Sequence, residues 1–126
     1  MKIVQINTTY GMADSTGRNV RELHHYFQSK GEESFVFATQ YNEDSSSNDK
    51  NVFLFSNLFD QKMHAFLSRL SGLQGYYSKG STKKLLLDLD KILPDVVILN
   101  VLHSNCINFK ELLENLEKVL KNLKNI

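Results

Sequence analysis

The chain has one cysteine, Cys106, one proline, Pro94, and no tryptophan. A lone cysteine excludes an intrachain disulfide, and a zinc site would have to draw on His24, His25, His64 and His103 with carboxylates. Their spacing matches no ligand set, so no metal and no cofactor are expected. No apolar run approaches the length of a membrane span. Behind Lys2, the polar residues Gln5, Asn7 and Thr8 interrupt the first apolar stretch too early for a secretory leader. Charge of one sign is lacking as well. Fifteen basic residues against 14 acidic ones argue against a polyanion, and so against nucleic acid as a partner. These absences point to a reduced, cytoplasmic compartment.

With 126 residues, the chain is the size of one domain with a real core. Residues 1–126 read as a single unit without internal repeats. Lys2 to Ala38 hold an apolar run (Ile3, Val4, Ile6), a loop with Gly11 and Gly17, an amphipathic helix, a stop at Gly31 and a second apolar run. That order is a βαβ unit. Asp14 or Ser15 can cap the helix, and Val20, Leu23 and Phe27 fall on one face at i, i+3 and i+7. Ser34 to Thr39 is aromatic and β-branched and reads as a strand, followed by a polar surface loop from Tyr41 to Lys50.

Val52 to Phe55 reads as a weak third strand. Phe59, Met63, Phe66, Leu67, Leu70 and Leu73 repeat at steps of three and four and predict a helix closed by Gly72 and Gly75. A further helix starts at Ser81 or Thr82, carries Leu85, Leu86, Leu89 and Ile92 inward, and ends before Pro94, which disfavours helical geometry at Leu93. Val96 to Leu99 is apolar at every position, the pattern of a parallel strand covered on both faces, so it is expected centrally beside the first strand. Asn108 and Glu111 form a capping-box-like start to a last helix that buries Leu112, Leu113, Leu116, Val119, Leu120 and Leu123. The predicted fold is α/β and Rossmann-like, an open parallel sheet with helices on both faces. After the last helix only Asn125 and Ile126 remain, so the sheet is expected to be cut short at its C-terminal side.

Three segments could carry chemistry. The loop Asn7 to Arg18 offers Gly11 and Gly17, a helix N-terminus with unpaired N–H groups, and Arg18 for a bidentate contact to phosphate or carboxylate. Its spacing is not a dinucleotide fingerprint, and a tight βα turn with an ordinary cap is the plainer account. Asn100 to Asn108 follows the apolar strand, so Asn100, His103, Ser104 and Asn105 should share the sheet edge with the first loop. They suit a polyhydroxylated ligand, while His103 could move a proton or could simply be a bonded loop residue. Cys106 reads more simply as a small buried filler than as a nucleophile. Residues 61–87 hold Lys62, Arg69, Lys79, Lys83 and Lys84 without an acid, interleaved with Phe66, Tyr76 and Tyr77. This suits an anionic membrane surface at the inner face or a phosphorylated acceptor, against the plainer account of a solvated face with core aromatics.

MKIVQINTTYG, STGRNVRELHHYFQSKG and LPDVVILNVLHSNCINFKELL together resemble the amino-terminal domain of family 4 glycosyltransferases, especially those building bacterial surface polysaccharides such as capsule. The resemblance implies one Rossmann-like half of a two-domain, GT-B enzyme that transfers sugar with retention. In that family the N-terminal domain binds the saccharide or lipid-linked acceptor, and the C-terminal domain holds the nucleotide-sugar donor. Carried over, the loop that lies over the cleft maps to Gly11, Ser15, Thr16, Gly17 and Arg18. The family's His-Leu-His-Asn-Leu-His-Gly is here Ile98-Leu99-Asn100-Val101-Leu102-His103-Ser104. Asn100 therefore stands where the family places an imidazole near the reacting sugar; it can hydrogen-bond but cannot serve as that base.

The implied substrate-binding set is Gly11, Ser15, Thr16, Gly17, Arg18, Asn100, His103 and Asn105, with His103 and Asn100 as the catalytic candidates. The donor-binding half is not in this sequence, so the chain alone is expected not to turn over. Two alternatives belong to other classes. Thr8, Thr9, Gly11, Ser15 and Thr16 could wrap the phosphate of FMN in a flavodoxin-like electron carrier, although the absence of Trp and of an acidic excess argues against it. Or the domain is non-catalytic and associates with a partner half through exposed apolar surface.

Overall fold

The computed structural model describes residues 1–12, 15–41, 49–55, 58–71, 79–100 and 108–124. Strands β1 (Lys2–Ile6) and β3 (Glu33–Ala38) form the middle of a four-stranded sheet, with β5 (Val52–Leu54) beyond β3 and β6 (Val96–Leu99) beyond β1. All three pairings are parallel; Ile6 lies between Phe37 and Leu99, and Val36 lies opposite Val52. Parallel neighbours need crossovers, which the helices α1 (Ser15–Ser29), α2 (Leu58–Ser71) and α3 (Lys79–Ile92) supply, with α4 (Phe109–Lys124) following β6.

The pleat divides the core. Val4, Ile6 and Phe37 face α3 and α4, packing with Phe55, Leu85, Leu86, Leu89, Leu112 and Leu116. Val36, Ala38 and Val52 face α1, with Val20 and Tyr10. Full burial of Leu85, Leu89 and Leu112 contributes about 1.5–3 kcal/mol each. The expected α/β architecture, an open parallel sheet with helices on both faces, is the observed one.

β6 departs from expectation in one respect. It pairs with β1 as predicted, but among the described residues it is the edge strand, and Val96 and Leu99 are partly exposed. An unbroken apolar run reports two apolar faces; it does not report how many neighbours a strand has.

Local rules account for the helix ends. At the end of α1, the Gly31 N–H donates to the Gln28 carbonyl (3.1 Å) and the Glu32 N–H to the Phe27 carbonyl (3.0 Å). This paired arrangement requires a left-handed residue at Gly31, whose φ is 79°. An added Cβ there would meet nothing within 4 Å, so Gly31→Ala should lose only the backbone term, about 1–2 kcal/mol. Urea unfolding measures this, and an unchanged midpoint would show that the left-handed turn is dispensable.

Leu93 leaves the right-handed helix before Pro94, as expected, although into the left-handed region (φ 53°) and not into extended backbone. Asn108 caps α4, its Oδ1 accepting from the Glu111 N–H at 3.1 Å. The Asn108 N–H donates to Thr82 Oγ1 (2.9 Å). The predicted boundary is shifted: α3 begins at Lys79, and Thr82, expected at its start, lies buried inside it and ties α3 to the start of α4.

Two apolar stripes are rotated from their predicted positions. On α1 the buried residues are Gly17, Val20 and His24, with Phe27 half-buried, whereas Leu23 is exposed. His24 can occupy the buried stripe because both ring nitrogens find partners. On α4, Leu112 and Leu116 are buried, but Leu113 is exposed, one step of about 100° round the helix. The side chains of Val119, Leu120 and Leu123, like the stop at Gly72 and Gly75, lie outside the described residues.

Candidate functional site

The candidate edge is where β1 and β6 end. The Asn100 N–H donates to the Ile6 carbonyl (2.9 Å), and the Asn7 N–H donates to the Phe37 carbonyl (3.0 Å). Asn7 and Asn100 thus leave the sheet side by side. From β1 the chain moves outward to β3 and β5 on one side, while β6 lies on the other. In an open parallel sheet this reversal of strand order leaves a crevice at the carboxyl ends of the two strands, where ligands bind.

The loop from Asn7 to Arg18 is more structured than its sequence suggests. Its first half forms β2 (Thr9–Tyr10), paired in parallel with β4 (Gln40–Tyr41), so Tyr41 belongs to a strand and not to the predicted surface loop. The Thr8 carbonyl accepts from the Thr39 N–H (2.9 Å) and from Thr39 Oγ1 (2.6 Å), and Asn7 Nδ2 donates to the Thr9 carbonyl (2.8 Å). Asn7, Thr8, Thr9 and Tyr10 are all buried. They tie the segment leaving β1 to the segment leaving β3. Of the residues named for wrapping an FMN phosphate, only Gly11, Ser15 and Thr16 lie beyond this ladder.

Past the ladder, Gly11 is buried with φ 138°, a conformation that side-chain-bearing residues rarely adopt. Here the chain turns towards α1. Ser15 and Arg18 are exposed, Thr16 half-buried and Gly17 buried in the first turn. Among the described residues, the first turn of α1 carries no acidic residue. Arg18 Nη2 donates to the Met12 carbonyl (3.1 Å), and Arg21 Nη1 lies 3.3 Å from Met12 Sδ. Arg18 and Arg21 thus both contact Met12. Asn100 is exposed at the end of β6. His103, Ser104, Asn105 and Cys106 lie outside the described residues, as do Asp14 and residues 42–48.

No protein-family model, no curated protein and no solved structure matches the chain.

A polar cluster behind the loop escaped sequence reasoning. Tyr10, fully buried, donates its hydroxyl to Asp49 Oδ2 at 2.5 Å. The same oxygen lies 3.2 Å from His25 Nε2 and 3.5 Å from Arg21 Nε. Burial pushes the Asp49 carboxyl up, but the Tyr10 hydroxyl, His25 and Arg21 together outweigh it and hold the group below the ordinary carboxyl value. Asp49 therefore stays ionised and fastens the chain entering β5 to both α1 and β2.

His24 sits beside this cluster, its ring edge-on to Tyr10. Nδ1 lies 2.7 Å from Ser34 Oγ, and Nε2 lies 2.8 Å from the Lys50 carbonyl. A carbonyl only accepts, so Nε2 carries the proton and Nδ1 accepts from the serine hydroxyl. Burial is the main reason that the imidazole is held below its ordinary pKa, so His24 is neutral. The two adjacent histidines thus serve different partners, one buried and one on the flank of the helix. Asp49 lies 39 residues from Tyr10 in sequence, and no local pattern marks the pair.

Under α1, Gln5 is a further buried polar group. Its Nε2 donates to the Val20 carbonyl (3.1 Å), while its Oε1 has no hydrogen-bond partner among the described residues. On the other face, a groove lined by Phe35, Phe37, Phe53, Asp88, Lys91 and Ile92 contains no residue of either candidate loop. The carboxyl edge of β1 and β6 therefore holds the substrate-binding candidates that the structure describes.

Proposed function

We propose that the chain is the acceptor-side domain of a glycosyltransferase that moves sugar from a nucleotide-sugar donor to a saccharide or lipid-linked acceptor during surface-polysaccharide synthesis. The observation that carries the reading is the junction of β1 and β6. The segment with Gly11, Ser15, Thr16, Gly17 and Arg18 and the segment opening at Asn100 start from adjacent strand ends. These are the segments in which the sequence resembles family 4 enzymes.

The chemistry of the edge supports the assignment. Donor diphosphates are anionic, and this edge offers Arg18 and the N-terminal end of α1. An acceptor carries hydroxyl groups, which the Asn100 amide and the Ser15 hydroxyl can both donate to and accept from. Asn100 would orient the acceptor without acting as a base. In this reading the donor is held chiefly by a second domain, because transfer requires both substrates to be oriented across one cleft. The protein would work in the cytoplasm, where nucleotide sugars are available; no described helix is long and apolar enough to cross a membrane.

Titration of the isotopically labelled chain with UDP-glucose tests this. Weak saturable binding is expected, with amide shifts at Gly11, Ser15, Thr16, Arg18 and Asn100, and Arg18→Ala should weaken it about tenfold, the value of one charge-assisted hydrogen bond. Tight binding with turnover by this chain alone would refute the acceptor-side reading. So would shifts confined to the α3 face.

A further inference from the structure

Three residues of the apolar repeat that predicts α2 are exposed in the structure. Met63, Phe66 and Leu70, spaced i, i+3 and i+7, are 41%, 56% and 71% exposed. At 100° per residue they share one arc of the helix. Lys62 and Arg69, both exposed, fall within about 20° of each other on the flank of that arc beside Phe66. An exposed phenylalanine and leucine with two cations along one flank is a poor arrangement for water and a good one for a headgroup boundary.

We propose that α2 is a membrane-surface helix. It lies in the plane of an anionic lipid bilayer, with Met63, Phe66 and Leu70 in the acyl boundary and Lys62 and Arg69 against the headgroups. Charge complementarity selects this occupant. α2 carries Lys62 and Arg69 against the single acid Asp60, and α3 adds Lys79, Lys83 and Lys84 before its first acid, Asp88, so pairing two copies through the flank that holds Lys62 and Arg69 would set cation against cation. Anionic lipid offers the opposite charge and an apolar layer at the depth a single helix face reaches. At 14 residues, α2 has room for one such ridge and is too short to span a bilayer. The proposal is independent of the sugar-transfer reading, since it concerns where the protein sits and not what it transfers.

Co-sedimentation of the full chain with vesicles tests it. Vesicles of equal parts phosphatidylglycerol and phosphatidylcholine should bind the protein at low salt and release it at high salt, whereas phosphatidylcholine alone should bind little. Lys62→Glu with Arg69→Glu should weaken binding roughly tenfold or more, and Phe66→Ser with Leu70→Ser should abolish it. All four positions are exposed, so circular dichroism should show an unchanged fold.

Because the chain has no tryptophan, Phe66→Trp reports insertion directly. Its emission should shift to the blue on anionic vesicles, while Leu23→Trp, an exposed site on α1, should not shift. Failure to bind anionic vesicles, equal binding to phosphatidylcholine, or full binding by both paired variants would overturn the proposal. Self-association in sedimentation velocity that the Phe66 and Leu70 changes abolish, without vesicle binding, would assign the face to a second copy instead.

Discussion

Tyr10→Ala is expected to cost about 4 kcal/mol of folding free energy, in the range for removing a fully buried aromatic ring, and to loosen the candidate crevice at the same time. Tyr10 fills the core between β2 and α1, touching the cluster of Val20, Val36, Ala38 and Val52. It also holds the Asp49 carboxylate. Tyr10→Phe separates the two contributions. It keeps the ring and loses one charge-assisted hydrogen bond, so it should cost about 1.5–3 kcal/mol.

Asp49→Asn in the Tyr10→Phe background should then add less than it does alone, because the two residues share that bond. Chemical unfolding of the four proteins measures the coupling. Additive losses would mean that the 2.5 Å contact contributes nothing to stability. The effect should extend to ligand binding, because β2 is the strand from which the chain turns at Gly11 towards α1.

His24→Phe carries the second large effect, and its size changes with pH. At neutral pH the substitution leaves Ser34 Oγ and the Lys50 carbonyl without the ring that joins them, for a loss of about 1–3 kcal/mol. Acid reverses part of that difference. Burial holds His24 below the ordinary imidazole value in the folded protein, so the unfolded chain binds the extra proton first. Wild-type stability should be complete above about pH 6.5 and fall as the pH drops from there towards the folded value, since the unfolded state is then the more protonated one.

His24→Phe has no such group and should give a flatter profile across that window, narrowing its deficit as the solution is acidified. Asp49 acts at lower pH. Its depressed carboxyl contributes stability above the ordinary carboxyl range, which is lost as the pH falls below it. Thermal melts of both proteins from neutral to mildly acidic pH would decide the matter. Parallel profiles would sink the assignment of the titration to His24.

The candidate site was legible in the sequence where local rules apply. Gly11, the start of α1 and Arg18 could be located because a βαβ unit puts them at a sheet edge, and Asn100 because an apolar strand precedes it. What those residues do within the edge was not legible. Thr8 and Thr9 read as polar loop residues, yet they lie in a ladder built with Thr39 and Gln40. Asp49 reads as part of a polar loop, yet it fastens that segment to Tyr10 and α1. Such pairings join residues about thirty to forty positions apart, and they depend on the alignment of β1, β3 and β5 in the sheet.

The sequence alone determined the kinds of element and many of their ends. Left-handed backbone at Gly31, the break before Pro94 and the Asn108 cap depend on sterics and hydrogen bonds within about one turn of chain. Tertiary structure decided which apolar surface is covered. It exposed Leu23, Leu113 and the Met63, Phe66 and Leu70 ridge, buried His24, and set β6 at an edge among the described residues. Periodicity records that a face is apolar, but burial depends on what packs against it, and that depends on contacts no single segment contains.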